Sequence, residues 1–289
     1  MKKPLFSGVC TALVTPFLDN EVNYPLLEIL VQRQIEAGIN AIVLSGTTGE
    51  SPVLSENEKL EMFRRAKNTA AGRCLIIAGT GSNNTAHAID QSIKAEKVGA
   101  DALLVVSPYY NKATPDGLIK HFTAIACAVQ IPVILYNVPG RTGVDIPVSV
   151  YQQLSRVPNI VGVKEAGTDL TKITKIRNAC GPEFSIWSGN DDLTVPVMAL
   201  GGQGVISVSS NICPLEVSAM TRAALDGDFD TAAALQCQMQ TLNELLFCEV
   251  NPVPVKFAMK CIGLDCGSCR LPLSELTAVN QKKLEKYFG

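Results

Sequence analysis

Short apolar runs rich in β-branched residues alternate with amphipathic stretches eight times along most of the chain. That alternation constrains the fold more than any other feature of the sequence. The strand candidates are Gly8–Val14, Ala41–Ser45, Leu75–Gly79, Ala102–Ser107, Val133–Asn137, Ile160–Lys164, Phe184–Ser188 and Gly204–Val208. Each is apolar on both faces, as a strand covered by helices must be. Between them, Leu27, Leu30, Val31 and Ile35 share one helical face closed by Gly38, and Ala86, Ile89 and Ile93 share another. Ser55 followed by Glu58 reads as a capping box. Strand then helix, repeated, implies parallel strands joined by right-handed crossovers. The predicted architecture is α/β, an eight-fold (β/α) barrel. A doubly wound open sheet is the alternative, weakened because no Gly-x-Gly-x-x-Gly follows the first strand.

After about Asp226 the alternation stops. Phe229–Phe247, Pro254–Ile262 and Ser274–Tyr287 read as helices only. The expected organisation is a catalytic barrel over residues 1–226 and a helical extension over 227–289 packed on it, too poor in apolar surface to fold alone.

Composition excludes several classes. A length of 289 residues, 47% hydrophobic and 18% charged, suits a compact soluble protein. A net charge of −2 without a basic block offers nothing to nucleic acid or an anionic membrane surface. No apolar stretch is long enough to span a bilayer, and the start, Met1-Lys2-Lys3-Pro4-Leu5-Phe6, is not a signal peptide. Of the ten cysteines, Cys10, Cys74, Cys127 and Cys261 fall inside apolar periodic segments, where reduced cysteine is a small hydrophobe. Cys266 and Cys269 have CxxC spacing without a second pair, and His87 and His121 are distant in sequence. Surface thiols are expected rather than a metal or redox site. A reducing cytoplasm fits this usage.

The polar residues worth singling out gather where strands end, which in a barrel is where active sites form. Lys164 closes the run Ile160-Val161-Gly162-Val163. An amine at the tip of a buried strand is costly to keep charged, and a neutral amine is a nucleophile able to form a Schiff base. A strand-end lysine reaching water is the plainer alternative. Tyr136 ends the preceding strand, so phenol and amine fall close together, and a phenol can shuttle protons at the carbinolamine stage. A tyrosine buried for packing, its hydroxyl satisfied, fits that position equally. In Ser45-Gly46-Thr47-Thr48-Gly49-Glu50, backbone N–H groups and two hydroxyls suit a carboxylate or phosphate, although an ordinary glycine-containing turn would read alike. Tyr109 and Tyr110 suit interface packing as well as chemistry. Arg141 can clamp a carboxylate bidentately or serve in a loop ion pair. No P-loop or HExxH occurs, and both histidines fall in helical segments, away from any serine-histidine-aspartate arrangement. No cofactor is required, since the lysine itself can act as the electron sink.

Taken in order, Thr11-Ala12-Leu13-Val14-Thr15-Pro16-Phe17, Gly46-Thr47-Thr48-Gly49-Glu50, Tyr136-Asn137-Val138-Pro139, Val163-Lys164-Glu165 and Asn251-Pro252-Val253-Pro254-Val255-Lys256 resemble the dihydrodipicolinate synthase/N-acetylneuraminate lyase family of class I pyruvate aldolases over nearly the whole chain. Arg141-Thr142-Gly143 with Thr47-Thr48 is similar to its synthase branch, which condenses pyruvate with L-aspartate 4-semialdehyde in lysine and diaminopimelate biosynthesis. The resemblance implies a Schiff base on Lys164 and proton relay through Tyr136, Thr47 and Tyr110, the last supplied by a neighbouring subunit. It implies that Thr47 and Thr48 hold the pyruvate carboxylate and that Arg141 grips the semialdehyde carboxylate. Ile206 and Gly189 would flank the pyruvate pocket, and the assembly would be a homotetramer, a dimer of dimers. At the family's lysine-binding regulatory pocket, Ser51, Asn83 and Tyr109 match, but His87 stands where an acidic residue meets the lysine amine, and Glu56 and Lys59 replace histidines. Weak or absent lysine inhibition is therefore expected. The competing readings are a lyase on a 2-keto-3-deoxy sugar acid or N-acetylneuraminate, against which Arg141 argues, and a non-catalytic barrel that senses keto acids. The latter would not need Lys164, Tyr136, Thr47 and Tyr110 together.

Overall fold

The computed structural model describes residues 3–289; Met1 and Lys2, which carry part of the N-terminal reading, lie outside the described residues. β1 (Gly8–Ala12) is followed by a small antiparallel pair, β2 (Phe17–Leu18) and β3 (Glu21–Val22). Then come β4 (Ala41–Leu44), β5 (Leu75–Gly79), β6 (Ala102–Val106), β7 (Val133–Asn137), β8 (Ile160–Glu165), β9 (Ser185–Ser188) and β10 (Gly204–Ser207). β1 and β4 to β10 are all parallel to their neighbours and close into one barrel, β10 pairing back onto β1. Around it run α1 (Tyr24–Glu36), α2 (Glu56–Ala70), α3 (Thr85–Lys97), α4 (Pro115–Cys127), α5 (Pro139–Thr142), α6 (Val148–Leu154), α7 (Leu170–Cys180), α8 (Thr194–Ala199) and α9 (Pro214–Leu225). This is the (β/α)8 barrel that the alternation implies. The extension adds α10 (Phe229–Gln238), α11 (Gln240–Leu246), α12 (Val253–Cys261) and α13 (Ala278–Phe288).

Local chemistry explains most boundaries. The capping box closes the start of α2: Ser55 Oγ accepts from Glu58 N at 3.3 Å, and Glu58 Oε2 accepts from Ser55 N at 2.7 Å. Gly38 takes φ 73° just past α1, whose buried face includes Leu27, Leu30 and Val31. The buried face of α3 is Ala88, Gln91, Ser92 and Ala95; Ile89 and Ile93 are half-buried beside it, and Ala86 is exposed, so the expected stripe was rotated by about one residue. β1 stops at Ala12, two residues before the expected end, because the Val14 amide turns to Asn211 Oδ1 at 3.2 Å. The β2–β3 hairpin was not anticipated. Asp19 and Asn20 both take left-handed φ, 50° and 64°, which suits a two-residue hairpin turn.

Two apolar layers hold the barrel. The interior is filled by small and medium side chains with Tyr136 and Trp187, among them Cys10, Ala41, Val43, Ile77, Leu104 and Ile206. Phe6 stacks on Trp187 at 4.7 Å between ring centroids. The larger outer layer lies between strands and helices. Leu242, Leu246, Val255, Ala258, Met259 and Leu284 of the extension belong to the same cluster as Leu13, Leu44 and Phe63 of the barrel. Cys10, Cys74 and Cys266 are buried and Cys127 is exposed. Cys266 therefore departs from the surface position expected of it, being folded in against Met259. Among the described residues no group of three or more His, Cys, Asp or Glu is gathered to hold a metal ion, and no helix is long and apolar enough to cross a membrane.

One irregularity sets the direction of the β8 side chains. Val133 pairs with Ile160 but Ile134 pairs with Gly162, so Val161 is an extra residue in β8. Ile160 and Val163 face the outer layer, while Val161 packs on the interior cluster. Past the bulge the alternation resumes with Lys164 inward. Gly162 is required there, because a Cβ would lie 2.2 Å from the Ser185 carbonyl oxygen on β9. Gly162→Ala is expected to destabilise the fold by about 1–3 kcal/mol, an overpacking cost borne by backbone. Urea denaturation of the variant measures this, and an unchanged midpoint would contradict the close approach.

Candidate active site

Lys164 and Tyr136 are direct register partners on β8 and β7. Each is the penultimate residue of its strand, since β8 runs on to Glu165 and β7 to Asn137. Lys164 is 5% exposed and Tyr136 6%. The Lys164 Nζ lies 4.5 Å from the Tyr136 ring centroid, over the ring face. On its other side Lys164 pairs in register with Trp187 of β9. Two aromatic residues thus flank Lys164 in register, and the amine itself lies against the Tyr136 ring near the C-terminal end of the barrel.

Charges behind the strand ends fix this arrangement. Glu165, pointing the opposite way to Lys164, is buried. Its Oε1 accepts from Asn137 Nδ2 at 2.7 Å and from the Gly167 amide at 2.8 Å. Its Oε2 accepts from the Tyr151 hydroxyl at 3.2 Å and lies 3.4 Å from Lys172 Nζ. Burial first, then the Glu165 charge, pushes the Tyr151 phenol well above the ordinary tyrosine range. Asn137 also donates to Asp145, tying β7, β8 and the following loops into one polar block. On the β9–β10 side, Asp191 is fully buried and accepts from Ser207 Oγ, from Val208 N at 2.8 Å and from Ser209 N at 3.3 Å. Burial raises its carboxyl above the usual range, opposed first by the Ser207 hydrogen bond, then by the Val208 and Ser209 amides and least by the Lys164 charge.

A cavity of about 550 Å³ opens at the C-terminal ends of β4 to β7. Thr47, Tyr136, Val138 and Arg141 line it. Thr48 is buried just behind Thr47 and accepts from Asn251 Nδ2 at 3.0 Å. Arg141 lies on the short α5, and its Nη2 donates to the Asn251 carbonyl at 3.2 Å. Ser51, His87 and Tyr109 border the same cavity, together with Lys59, whose ammonium is pushed down by burial. Asn83 does not line it, and Glu56 is engaged by Lys94 Nζ at 2.6 Å. Lys164, Gly189 and Ile206 are not on the cavity wall either. Ile206 is wholly buried on β10, and Gly189 donates to the Glu165 carbonyl at 2.7 Å; a Cβ there would lie 2.5 Å from Ala166 Cβ. Tyr110 is 88% exposed, with φ 74°, and does not line the cavity of its own chain.

Four residues were not singled out from the sequence: Glu50, Asn251, Lys256 and Arg270. Lys256 Nζ meets Glu50 Oε1 at 2.9 Å, with both side chains almost wholly buried, and the Arg270 amide donates to Glu50 Oε2 at 2.9 Å. Two of them, Asn251 and Lys256, sit in the Asn-Pro-Val-Pro-Val-Lys segment and Glu50 closes the Gly-Thr-Thr-Gly-Glu motif; both motifs carry the family resemblance, but neither points to a role for these side chains.

The profile of the dihydrodipicolinate synthetase family matches residues 5–288. A 4-hydroxy-tetrahydrodipicolinate synthase of Thermoanaerobacter sp. (strain X514) is 47% identical over 283 residues, 98% of this chain and 95% of the relative. That of Acetivibrio thermocellus is 44% identical over 286 residues, 99% of this chain and 97% of the relative. Among solved structures, the dihydrodipicolinate synthase of Aquifex aeolicus superimposes with a TM-score of 0.96 at 44% identity, covering 98% of this chain and 97% of that one.

The rim of the site is clasped by Arg270, which donates to Glu58 Oε1 at 2.6 Å and Oε2 at 3.1 Å and lies 4.3 Å over the Phe17 ring. The Arg270 hydrogen bond, with further bonds from Ser55, holds the Glu58 carboxyl at about 2, against an ordinary value of 4.5. A carboxyl depressed in the folded state adds stability above the unfolded value, and that stability is lost as pH falls toward the folded one. Stability is therefore expected to drop as pH falls from about 4.5 to about 2, and Glu58→Gln to make that part of the profile shallower. Chemical denaturation across this window measures it; superimposable slopes for the two proteins would contradict the clasp.

Proposed function

The chain belongs to the dihydrodipicolinate synthetase family, and from that membership we propose how it works. It is a lyase that condenses pyruvate with L-aspartate 4-semialdehyde to 4-hydroxy-tetrahydrodipicolinate, in the route to diaminopimelate and lysine. The observation that carries the mechanism is the Lys164 amine, buried at a strand end over the face of Tyr136, which borders the open cavity.

The Lys164 Nζ, in its neutral form, adds to the ketone carbon of pyruvate. The carbinolamine loses water to give the imine, with Tyr136 handling the protons. Thr47 and Thr48 hold the pyruvate carboxylate through hydroxyl and backbone N–H groups. The imine loses a methyl proton, and the enamine carbon attacks the aldehyde of the semialdehyde, whose carboxylate Arg141 grips. The substrate amine then attacks the imine carbon, closes the ring and releases Lys164. Ile206 and Gly189 pack the far side of the pyruvate site.

Tyr110, exposed on its own chain, completes the proton relay of a neighbouring subunit with Thr47 in a homotetramer built as a dimer of dimers. The barrel, 1–226, carries the chemistry, and the extension, 227–289, supports it. The enzyme works in the cytoplasm. At the side of the cavity lined by Ser51, His87 and Tyr109, with Asn83 nearby, His87 and the half-buried Lys59 give a lysine ammonium group no anionic partner.

Borohydride reduction in the presence of pyruvate is expected to add a pyruvate-derived mass to the peptide carrying Lys164. Lys164→Ala is expected to lose the adduct and roughly three orders of magnitude in turnover. Absence of the adduct in the unaltered enzyme would refute imine catalysis. In a coupled assay, turnover is expected with aspartate semialdehyde and not, in the cleavage direction, with N-acetylneuraminate or 2-keto-3-deoxygluconate; the reverse preference would overturn the substrate assignment. Micromolar lysine is expected to leave the steady-state rate unchanged, and strong inhibition there would contradict the reading of His87.

A further inference from the structure

Glu50 sits at the end of the Gly46-Thr47-Thr48-Gly49 turn in a left-handed conformation, φ 55° and ψ 38°. For a residue with a Cβ this costs about 1–2 kcal/mol relative to glycine, and it persists only where the surroundings impose it. The surroundings here are specific. Glu50 Oε1 accepts from Lys256 Nζ at 2.9 Å and Oε2 from the Arg270 amide at 2.9 Å. The side chains of Glu50 and Lys256 are 1% and 3% exposed. Lys256 also donates to the Ser268 carbonyl at 3.2 Å and lies 4.4 Å over the Phe17 ring.

A buried ion pair is a poor source of net stability, since well-packed apolar residues of similar volume often do as well or better. Stability alone therefore does not account for this pair beside a strained turn. Its placement does. The Glu50 amide donates to the Thr47 carbonyl at 3.1 Å, closing the turn that carries both threonines. Asn251, just before α12, donates to Thr48 Oγ1, which leaves the hydroxyl hydrogen of Thr48 free to be given away. Two points on the turn, Thr48 and Glu50, are thus held from one stretch of chain, by Asn251 and Lys256.

We infer that Glu50 is a positioning residue for the pyruvate carboxylate cradle, held in place across the barrel rim by Lys256 and the Arg270 amide. The C-terminal extension thereby sets substrate affinity as well as covering the barrel. This rests on the proposed pyruvate chemistry.

The test uses the full-length enzyme with two variants. Lys256→Met leaves a buried carboxylate unpaired and is expected to lose stability. The double variant Glu50→Gly/Lys256→Met removes both charges and puts at position 50 a residue that accepts the left-handed conformation. It is expected to recover most of the urea midpoint. It is nevertheless expected to keep a pyruvate KM raised about tenfold, with kcat at saturating pyruvate and the KM for the semialdehyde changed less than about threefold, as loss of ground-state positioning predicts. A double variant with a normal midpoint and a normal pyruvate KM would overturn the inference. Hydrogen exchange on the unaltered enzyme provides a second check that does not depend on a variant folding. Pyruvate is expected to slow exchange at the Arg270 amide together with the amides of residues 47–50. Slowing at 47–50 with no change at Arg270 would equally overturn it. If pyruvate neither slows exchange nor forms a borohydride-trapped adduct in the unaltered enzyme, it is the reading of the reaction that fails, not the coupling.

Discussion

A primary amine held inside a barrel against the face of a phenol is the constraint on which the other features depend. Lys164 and Tyr136 meet because β7 and β8 are parallel neighbours paired in register at those two positions. That pairing follows from the extra residue Val161, and it tolerates no side chain at Gly162, where the Ser185 carbonyl comes close. Behind it, Glu165 receives hydrogen bonds from Asn137, Gly167 and Tyr151, so the strand ends that present the amine and the phenol are fastened from the outer layer. The interior residues give the amine a low-polarity setting; the outer charges fasten the strand ends.

The second organising element is the contact between the rim of the barrel and the C-terminal segment. Phe17 lies beneath two cations, Lys256 and Arg270, and its amide donates to the Cys266 carbonyl at 2.9 Å. Cys266 is buried there and Cys269 half-buried, with both thiols pushed up to about 12 by burial. Burial thus disfavours the thiolate form of both cysteines under the tail. The same segment reaches Glu50, while Asn251 joins Thr48 to Arg141, so that the threonine turn and the arginine of α5 share one support.

Much of this was legible in the sequence, and the limits have physical causes. The eight barrel strands were visible because each is apolar on both faces and bounded by helical periodicity; their ends moved by a residue or two, as at β1, where Asn211 captures the Val14 amide. The β2–β3 hairpin was missed because two-residue strands carry no periodicity, and Asp19-Asn20 is a weaker turn signal than Asn-Gly. Lys164, Tyr136, Thr47 and Arg141 were visible as polar residues at strand ends, since that position is shared by the whole fold class. The pairing of Glu50 with Lys256 was not, because two charges separated by 206 residues leave no local pattern even though each lies in a quoted motif. Tyr110 marks a different limit: the resemblance gives it a role in a neighbouring subunit, and a single chain shows only that it faces solvent.

The central claim is that the Lys164 nitrogen captures the keto carbon of pyruvate while the threonine turn holds its carboxylate. A crystal structure of the enzyme soaked in pyruvate tests this most directly. The account requires continuous density from Lys164 Nζ to C2 of pyruvate, with the carboxylate against Thr47 and Thr48. Pyruvate bound elsewhere in the cavity, with the lysine nitrogen unmodified beside Tyr136, would contradict it.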